Sequence, residues 1–210
     1  MESPLCPPDD PGFRLIETLR WEPGQGAREA ARHLARLARS AQAFGIEVHG
    51  AAEALAGVVG DAPLRLRLTV DAAGRAEVTS APYVPVPEGT VWRVGLAETR
   101  LASDDPWLQH KTTRRALYDQ ARADLPGWID EMLFCNEAGA VCEGTITNLF
   151  VPRDGVLLTP PQAEGLLPGI LRERLIEEGR AREARIMPED LSEEFFVGND
   201  LRGLIKARLV

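Results

Sequence analysis

Residues 142–150, CEGTITNLF, bring one acidic side chain to the start of a predicted strand. Glu143 precedes small and polar residues, and the apolar residues that follow predict a strand over residues 147–152. A carboxylate in this position is consistent with a turn at a strand edge, and it is equally consistent with a functional group. The segments on either side of this stretch therefore decide how Glu143 is interpreted.

Downstream of this stretch, the sequence predicts a hairpin and then a helix. A turn at residues 153–155 joins two short strands, and the Pro-Pro pair at 160–161 ends the second strand. Residues 166–171, LLPGIL, then predict the entry to an amphipathic helix that runs through Glu178. Backbone N–H groups at a helix start form a ready site for a phosphate, although helix entry alone is common. The other strands predicted in this half lie at 131–136, 156–159, 195–199 and 204–207.

Upstream of Glu143, the sequence HKTTRR at 110–115 places Lys111 just ahead of a helix predicted at about Thr112–Asp124. Of the 24 basic residues in the chain, only two are lysines, so each lysine raises the question of what an amine does that a guanidinium cannot. One interpretation is a solvated lysine at a helix start. The other is an amine that forms a Schiff base, with its pKa lowered by the helix macrodipole.

The first hundred residues predict a smaller lobe of mixed helix and strand. The stretch 27–44 places apolar side chains at helical spacing, and LRLRLTV at 64–70 alternates as a strand does. Further strands are predicted at 13–21, 77–80 and 90–97, and a short helix at 51–59. The polar stretch 101–107 is the predicted connection between lobes. The predicted division is a tail at 1–12, a small α+β lobe at 13–104 and a larger lobe at 105–210.

Composition argues against several classes of function. A formal net charge of −8 argues against nucleic-acid binding, which needs a basic surface. The chain lacks an apolar run of the roughly 20 residues that a membrane span needs, and its start lacks a secretory leader, which predicts a cytoplasmic protein without membrane partners. Three cysteines without a CxxC pair, and only three histidines, argue against a disulfide framework or a metal site. The Walker, HExxH and GxSxG motifs are absent, which argues against an NTPase or a hydrolase.

Taken in order, these segments resemble the class IV aminotransferase family, whose members are fold type IV enzymes that depend on pyridoxal 5′-phosphate. The resemblance covers nearly the whole chain from Phe13 onward. It is carried by six stretches: FRLIETLRW at 13–21, RHLARL at 32–37, HKTTRRALYDQAR at 110–122, EGTITNLF at 143–150, DGVLLTPPQAEGLLPGILRERL at 154–175 and GNDLRG at 198–203. It implies a two-lobed α+β fold like that of D-amino-acid aminotransferase, with the cofactor bound in the lobe at 105–210. It also implies a homodimer that acts on a small-molecule substrate.

Within the family, three segments are most similar to 4-amino-4-deoxychorismate lyase: IETLRWEPGQG, HKTTRRALYD and GNDLRG. This resemblance implies conversion of 4-amino-4-deoxychorismate to 4-aminobenzoate and pyruvate, a step of folate biosynthesis. The alternative is an aminotransferase that acts on branched-chain or D-amino acids. A non-catalytic relative is a second alternative, and loss of cofactor absorbance on mutation of Lys111 distinguishes it.

The resemblance assigns catalytic and substrate-binding roles residue by residue. Lys111 matches the lysine that binds the cofactor covalently and then moves the substrate's proton. Glu143 matches the glutamate that pairs with the pyridine nitrogen and keeps it protonated. Arg100 aligns with an arginine proposed to bind a substrate carboxylate. Tyr118 follows Lys111 by seven residues, farther than the cofactor-contacting tyrosine of the branched-chain enzymes, so that role is not carried over.

The same resemblance assigns four residues to the cofactor phosphate. Arg36 lies where the family has a phosphate-binding arginine, and Ile170 and Leu171 match the helix start that offers backbone N–H groups. Asn199 takes the place of a Thr or Asn that also contacts the phosphate. Many aminotransferases have Thr at the position of Leu171, so the apolar residue here favours the lyase.

Overall fold

A computed structural model describes residues 5, 10–191 and 193–210 of the chain, which divide into two compact units. Unit 1 contains the chain up to Val84 together with His110–Arg114, and unit 2 contains Pro85–Gln109 and Arg115–Val210. Most of the predicted tail at 1–12 lies outside the described residues. In the part of the chain that the structure describes, no helix is both long and apolar enough to cross a membrane.

Unit 1 is built on an antiparallel sheet with the strand order β2-β1-β3-β4. On β3, alternation places Leu66, Leu68 and Val70 on the buried face, while the intervening arginines stay exposed. The helix α1 buries two basic side chains, His33 and Arg36, which need polar partners inside the unit. The elements are β1 (Arg14–Glu22), β2 (Gly26–Ala27), α1 (Ala30–Ala43), α2 (Ala51–Ala56), β3 (Leu64–Asp71) and β4 (Ala76–Pro82).

Unit 2 contains an eight-stranded sheet with the order β10-β9-β8-β11-β12-β5-β6-β7. Strand β7 also pairs with β8, through Glu143 and Asn148, so that six of these strands close into a ring. Buried apolar side chains from all six strands form one core cluster. The elements are β5 (Val91–Leu101), α3 (Ala116–Ala123), β6 (Glu131–Asn136), β7 (Val141–Gly144), β8 (Asn148–Arg153), β9 (Val156–Thr159), α4 (Ile170–Glu177), β10 (Ala181–Glu183), β11 (Phe195–Asn199) and β12 (Gly203–Leu209).

The division between the units falls after Val84, whereas the sequence predicted a boundary near residue 104. Strand β5 accounts for the difference, because it pairs in parallel with β6 and with β12 near the end of the chain. A local pattern predicts that a segment is a strand but does not identify its partners. The sequence therefore grouped this strand with the lobe that precedes it.

The helix predicted to start at Thr112 is wrong at its beginning, because α3 begins at Ala116. The backbone before it is paired with β1 instead: the Ile16 N–H donates to the Lys111 carbonyl at 2.8 Å, and the Thr113 N–H donates to the Arg14 carbonyl at 2.9 Å. Groups that are bonded to a strand cannot also close a helical turn. The effect of a helix macrodipole on the Lys111 amine, which rested on that helix start, is therefore not supported.

Candidate functional site

The Glu143 carboxylate is buried on β7, at the place where the ring of unit 2 closes. The Tyr118 hydroxyl on α3 donates to Oε1 at 2.7 Å, and the Leu167 N–H donates to Oε2 at 3.1 Å. Burial raises the pKa of the Tyr118 phenol, and the neighbouring Glu143 carboxylate raises it further. The phenol therefore stays protonated and donates to Glu143 across the physiological pH range.

The turn that follows Glu143 is fixed by a second buried carboxylate, that of Glu131. Its oxygens accept hydrogen bonds from the Thr145 hydroxyl, from the Thr145 N–H at 3.1 Å and from the Thr147 hydroxyl at 3.0 Å. A Cβ on Gly144 would lie 2.5 Å from the Thr147 Oγ1 and 2.9 Å from the Glu131 carboxyl carbon, so the turn requires glycine there. The EGTIT sequence thus wraps around the Glu131 side chain. Glu131 was not predicted from the sequence.

Two asparagines tie the neighbouring loops to this turn. The Asn148 Nδ2 donates to the Leu167 carbonyl at 3.0 Å, and the Asn199 Nδ2 donates to the Ile146 carbonyl at 3.0 Å. The Asn199 Oδ1 also accepts the Arg202 N–H at 3.0 Å. The predicted residues Glu143 and Asn199 therefore belong to one hydrogen-bonded region of unit 2.

The start of helix α4 has the features of an anion site. Its N-cap is Gly169, which makes no side-chain capping bond. Ile170 and Leu171 are 2% and 3% exposed, and within the described chain their N–H groups have no hydrogen-bond partner. A Cβ on Gly198 would lie 3.0 Å from the Leu171 side chain, so the end of β11 that carries Asn199 packs on this helix start. Buried N–H groups at a helix start attract a phosphate, and this donor set fits one.

Arg100 is an exposed residue of β5, and its strand partner is Cys135. Burial raises the pKa of the Cys135 thiol, and the charge of Arg100 and its hydrogen bond oppose that shift. The described contacts of Arg100 are thus with Cys135, and the substrate-binding role remains a prediction from the resemblance.

In unit 1, Arg36 forms a buried ionic cluster with Glu17 and His33. The Arg36 Nε and Nη2 donate to Oε1 and Oε2 of Glu17 at 2.9 and 2.6 Å, and the His33 Nδ1 lies 2.6 Å from Oε2. Burial by itself raises the pKa of Glu17, but the charges and hydrogen bonds of Arg36 and His33 lower it to about 2. Sequence reasoning missed Glu17, although an acidic residue on the same strand face as Leu15 and Leu19 is a signal that a buried partner exists.

Lys111 lies in the same unit and is connected to this cluster through β1. Its carbonyl accepts the N–H of Ile16, the residue next to Glu17. The adjacent His110 is fixed to α1, because its Nδ1 lies 3.0 Å from the Ser40 Oγ and its ring packs edge-on against Phe44. Burial lowers the pKa of His110. Unit 1 therefore brings the segment that carries Lys111 onto the strand and helix that hold the Arg36 cluster.

Comparison with known protein families identifies the chain. The family model for amino-transferase class IV matches residues 14–210, which is nearly the whole chain. The chain belongs to the class IV aminotransferase family. Members of this family use pyridoxal 5′-phosphate, and the α+β structure has their fold type IV architecture, as the sequence predicted.

The relatives of this family member bear both lyase and aminotransferase names. A crystal structure from Mesorhizobium loti, named a "putative amino-acid aminotransferase", is 47% identical, covers 94% of this chain and 100% of its own, and has a TM-score of 0.88. A Schizosaccharomyces pombe protein named "putative aminodeoxychorismate lyase" is 29% identical over 72% of this chain and 68% of its own. A solved "putative 4-amino-4-deoxychorismate lyase" is 30% identical over 94% of this chain and 84% of its own, with a TM-score of 0.77. The chain is thus an enzyme of this family, a lyase or an aminotransferase.

Proposed function

We propose that this enzyme is a pyridoxal-phosphate-dependent 4-amino-4-deoxychorismate lyase, which forms 4-aminobenzoate and pyruvate for folate biosynthesis. The observation that carries the proposal is the arrangement around Leu167, whose N–H fixes the Glu143 carboxylate just before the uncapped start of α4. A pyridine nitrogen requires the carboxylate, and a phosphate requires the free N–H groups. The lyase names among the relatives, and Leu171 in place of Thr, support the lyase over other reactions of the family.

The proposal gives each site residue a defined part in holding the cofactor. In unit 2, the N–H groups of Ile170 and Leu171 and the side chain of Asn199 would bind the phosphate, and Glu143 would bind the pyridine nitrogen. From the resemblance, we further propose that Arg36 serves the phosphate and that Lys111 supplies the amine that forms the covalent link. When bound, pyridoxal phosphate supplies an electron sink for the electron pair that is released when a substrate C–H bond breaks.

Two side chains of the enzyme hold or move protons in this proposal. The Lys111 amine removes the proton at C4 of the substrate, a general-base step that contributes about 10²- to 10⁴-fold to the rate. Glu143 holds a proton at the ring nitrogen. Breakage of the bond between C3 and the enolpyruvyl oxygen then leaves the aromatic ring of 4-aminobenzoate, and the released enolpyruvate takes up a proton to become pyruvate. Arg100 is the proposed partner of a substrate carboxylate.

The lysine assignment is tested with the two lysines of the chain. We expect Lys111→Ala to fold but to lose the visible absorbance of bound cofactor and nearly all turnover. Lys206→Ala is the matched control, because Lys206 is exposed and lies 3.4 Å from the Glu194 carboxylate. Borohydride reduction of the loaded enzyme, followed by peptide mass spectrometry, should place the cofactor on Lys111. Substantial lyase turnover by Lys111→Ala would contradict the assignment.

The reaction itself is tested by omitting the amino acceptor. A lyase forms equal amounts of pyruvate and 4-aminobenzoate from 4-amino-4-deoxychorismate without any keto acid. The second candidate is an aminotransferase for branched-chain or D-amino acids, favoured by the name and 47% identity of the Mesorhizobium loti structure. In that case a branched-chain or D-amino acid transfers its amino group to an added keto acid. Without the keto acid, 4-amino-4-deoxychorismate yields no 4-aminobenzoate. Product identification with and without keto acid separates the two reactions.

The remaining expectations from the resemblance belong to the same proposal. We propose that the enzyme acts as a homodimer in the cytoplasm. The dimer is tested by measuring the mass of the purified enzyme in solution by light scattering, where a mass of one chain would contradict it. Fractionation of the source cells tests the compartment.

A further inference from the structure

The contact between Tyr118 and Glu143 has no counterpart among the roles that the resemblance assigned. Tyr118 donates to Oε1 of Glu143 at 2.7 Å, while the Leu167 N–H donates to Oε2 at 3.1 Å. The two donors come from different elements, the helix α3 and the loop before α4. A carboxylate held at both oxygens by donors from two elements cannot rotate about its terminal bond without losing one of them.

Tyr118 is itself fixed by the strand pair that carries Glu143. Its ring packs edge-on against Phe134, with ring centroids 5.2 Å apart and an interplanar angle of 76°. Phe134 on β6 is the register partner of Glu143 on β7. The β6–β7 ladder that carries Glu143 therefore also holds the Tyr118 ring, and Phe134 and Tyr118 pack with Leu101, Cys142 and Leu166.

The chemistry of a phenol suits this position. Burial and the Glu143 charge keep the Tyr118 hydroxyl protonated, so it donates without adding a positive charge. Hydrogen bonds to a carboxylate favour its charged form. A lysine or an arginine in the same place would also orient the carboxylate, but its positive charge would offset the negative charge of the carboxylate. A protonated pyridine nitrogen requires that negative charge.

We propose that Tyr118 is a positioning residue, whose hydroxyl holds the Glu143 carboxylate in the orientation and charge state that pair with a protonated pyridine nitrogen. The inference rests on the proposed function, because it takes Glu143 to be the partner of that nitrogen. It adds to that function a residue that supports the pairing without touching the cofactor.

The test uses Tyr118→Phe, which keeps the ring against Phe134 and removes only the hydroxyl. Tyr83→Phe is the matched control, because Tyr83 is the other tyrosine of the chain and lies in unit 1. Each protein is loaded with pyridoxal phosphate labelled with ¹⁵N in the ring. We expect the ¹⁵N resonance of Tyr118→Phe to move towards the neutral pyridine position, and the cofactor to bind about ten- to a hundred-fold more weakly. The control should match the wild type in both.

The apoprotein gives a second measurement that does not depend on the cofactor. In Tyr83→Phe, Tyr118 is the remaining tyrosine, and we expect its hydroxyl to stay un-ionised in an alkaline absorbance titration until the protein unfolds. Ionisation near pH 10 would overturn the inference, as would an unchanged ¹⁵N resonance in Tyr118→Phe. A wild-type protein that takes up no pyridoxal phosphate, although its Tyr118 titrates as expected, would instead overturn the proposed function and the inference with it.

Discussion

Two buried carboxylates, one in each unit, show how partners decide what a buried charge does. Glu17 in unit 1 is held by Arg36 and by His33, at distances between 2.6 and 2.9 Å. Glu143 in unit 2 accepts hydrogen bonds from a phenol and a backbone amide, both of which are neutral. Both side chains sit on strands and both are nearly inaccessible. These donors to Glu17 and to Glu143 differ in charge.

Charged donors and neutral donors have different consequences for function. Arg36 and His33 compensate the Glu17 charge within the unit, so the cluster makes a stable local structure and fixes the guanidinium of Arg36. The phenol and the backbone amide orient Glu143 and add no charge of their own, which suits a residue proposed to bind a cation. We therefore expect Glu17 to matter most for stability and Glu143 most for the reaction, and four measurements sharpen or break that contrast.

The largest loss of stability is expected for Glu17→Gln. The substitution leaves Arg36 buried without its carboxylate, and removal of one partner of a buried pair costs about 3–5 kcal/mol. Urea unfolding of the variant measures this change in the free energy of unfolding. Glu77→Gln is the matched control, because Glu77 is an exposed residue of the same sheet. Equal stabilities of the two variants would show that the Glu17 cluster is not a stabilising element.

A smaller effect of the same cluster is expected on acidification. The folded protein holds the pKa of Glu17 at about 2, below its ordinary value of 4.5. The stabilisation from Glu17 is therefore fully present above about pH 4.5 and is lost as the pH falls towards 2, by about 3 kcal/mol in total. Unfolding free energies measured between pH 6 and 2 should show this loss in the wild type. In Glu17→Gln this part of the pH dependence should be missing, and a persistent dependence would assign it to other groups.

The next effect concerns the loop before α4, in which the Leu167 N–H donates to Glu143. A Cβ on Gly169 would lie 1.9 Å from the Asn148 Oδ1, and Asn148 cannot move away without losing its bond to the Leu167 carbonyl. The backbone of Gly169 is in the extended region, so the expected cost of Gly169→Ala is purely steric, about 1–3 kcal/mol. The variant should unfold at a lower temperature than the wild type, and it should bind the cofactor more weakly. Gly127→Ala is the control, because a Cβ there has open space.

The local elements of both units could be predicted from the sequence because their patterns are local. Alternation of apolar and polar residues in LRLRLTV predicted β3, and apolar residues at helical spacing predicted α1. The pair Pro168-Gly169 predicted the start of α4. The hairpin at Asp154-Gly155 was predicted as well, and both residues adopt positive φ there.

Most of the features that the sequence did not predict are contacts between distant parts of the chain. The start of α3 was misplaced because residues near Lys111 pair with β1, about a hundred positions earlier. The buried cluster around Glu17 was not predicted, because the partners of Glu17 lie on α1 and not on its own strand. Tyr118 was set aside on spacing to Lys111, whereas its structural partner is Glu143. The strand β10 was not predicted, because a strand of three residues is too short to show an alternation of buried and exposed side chains.

The smallest change in stability is expected for Glu143→Gln, and it provides the sharpest test of the contrast with Glu17. The amide keeps an oxygen that can accept the Tyr118 hydroxyl, but its NH₂ then faces the Leu167 N–H, so the cost at these two donors is that of one hydrogen bond, about 1 kcal/mol. Turnover should nevertheless fall at least about a hundred-fold, because a neutral amide cannot stabilise a protonated ring nitrogen. Glu17→Gln should show the larger loss of stability of the two variants. A Glu143→Gln variant that unfolds as readily as Glu17→Gln, or that keeps its turnover, would mean that the charge of the donors does not separate the roles of these two carboxylates.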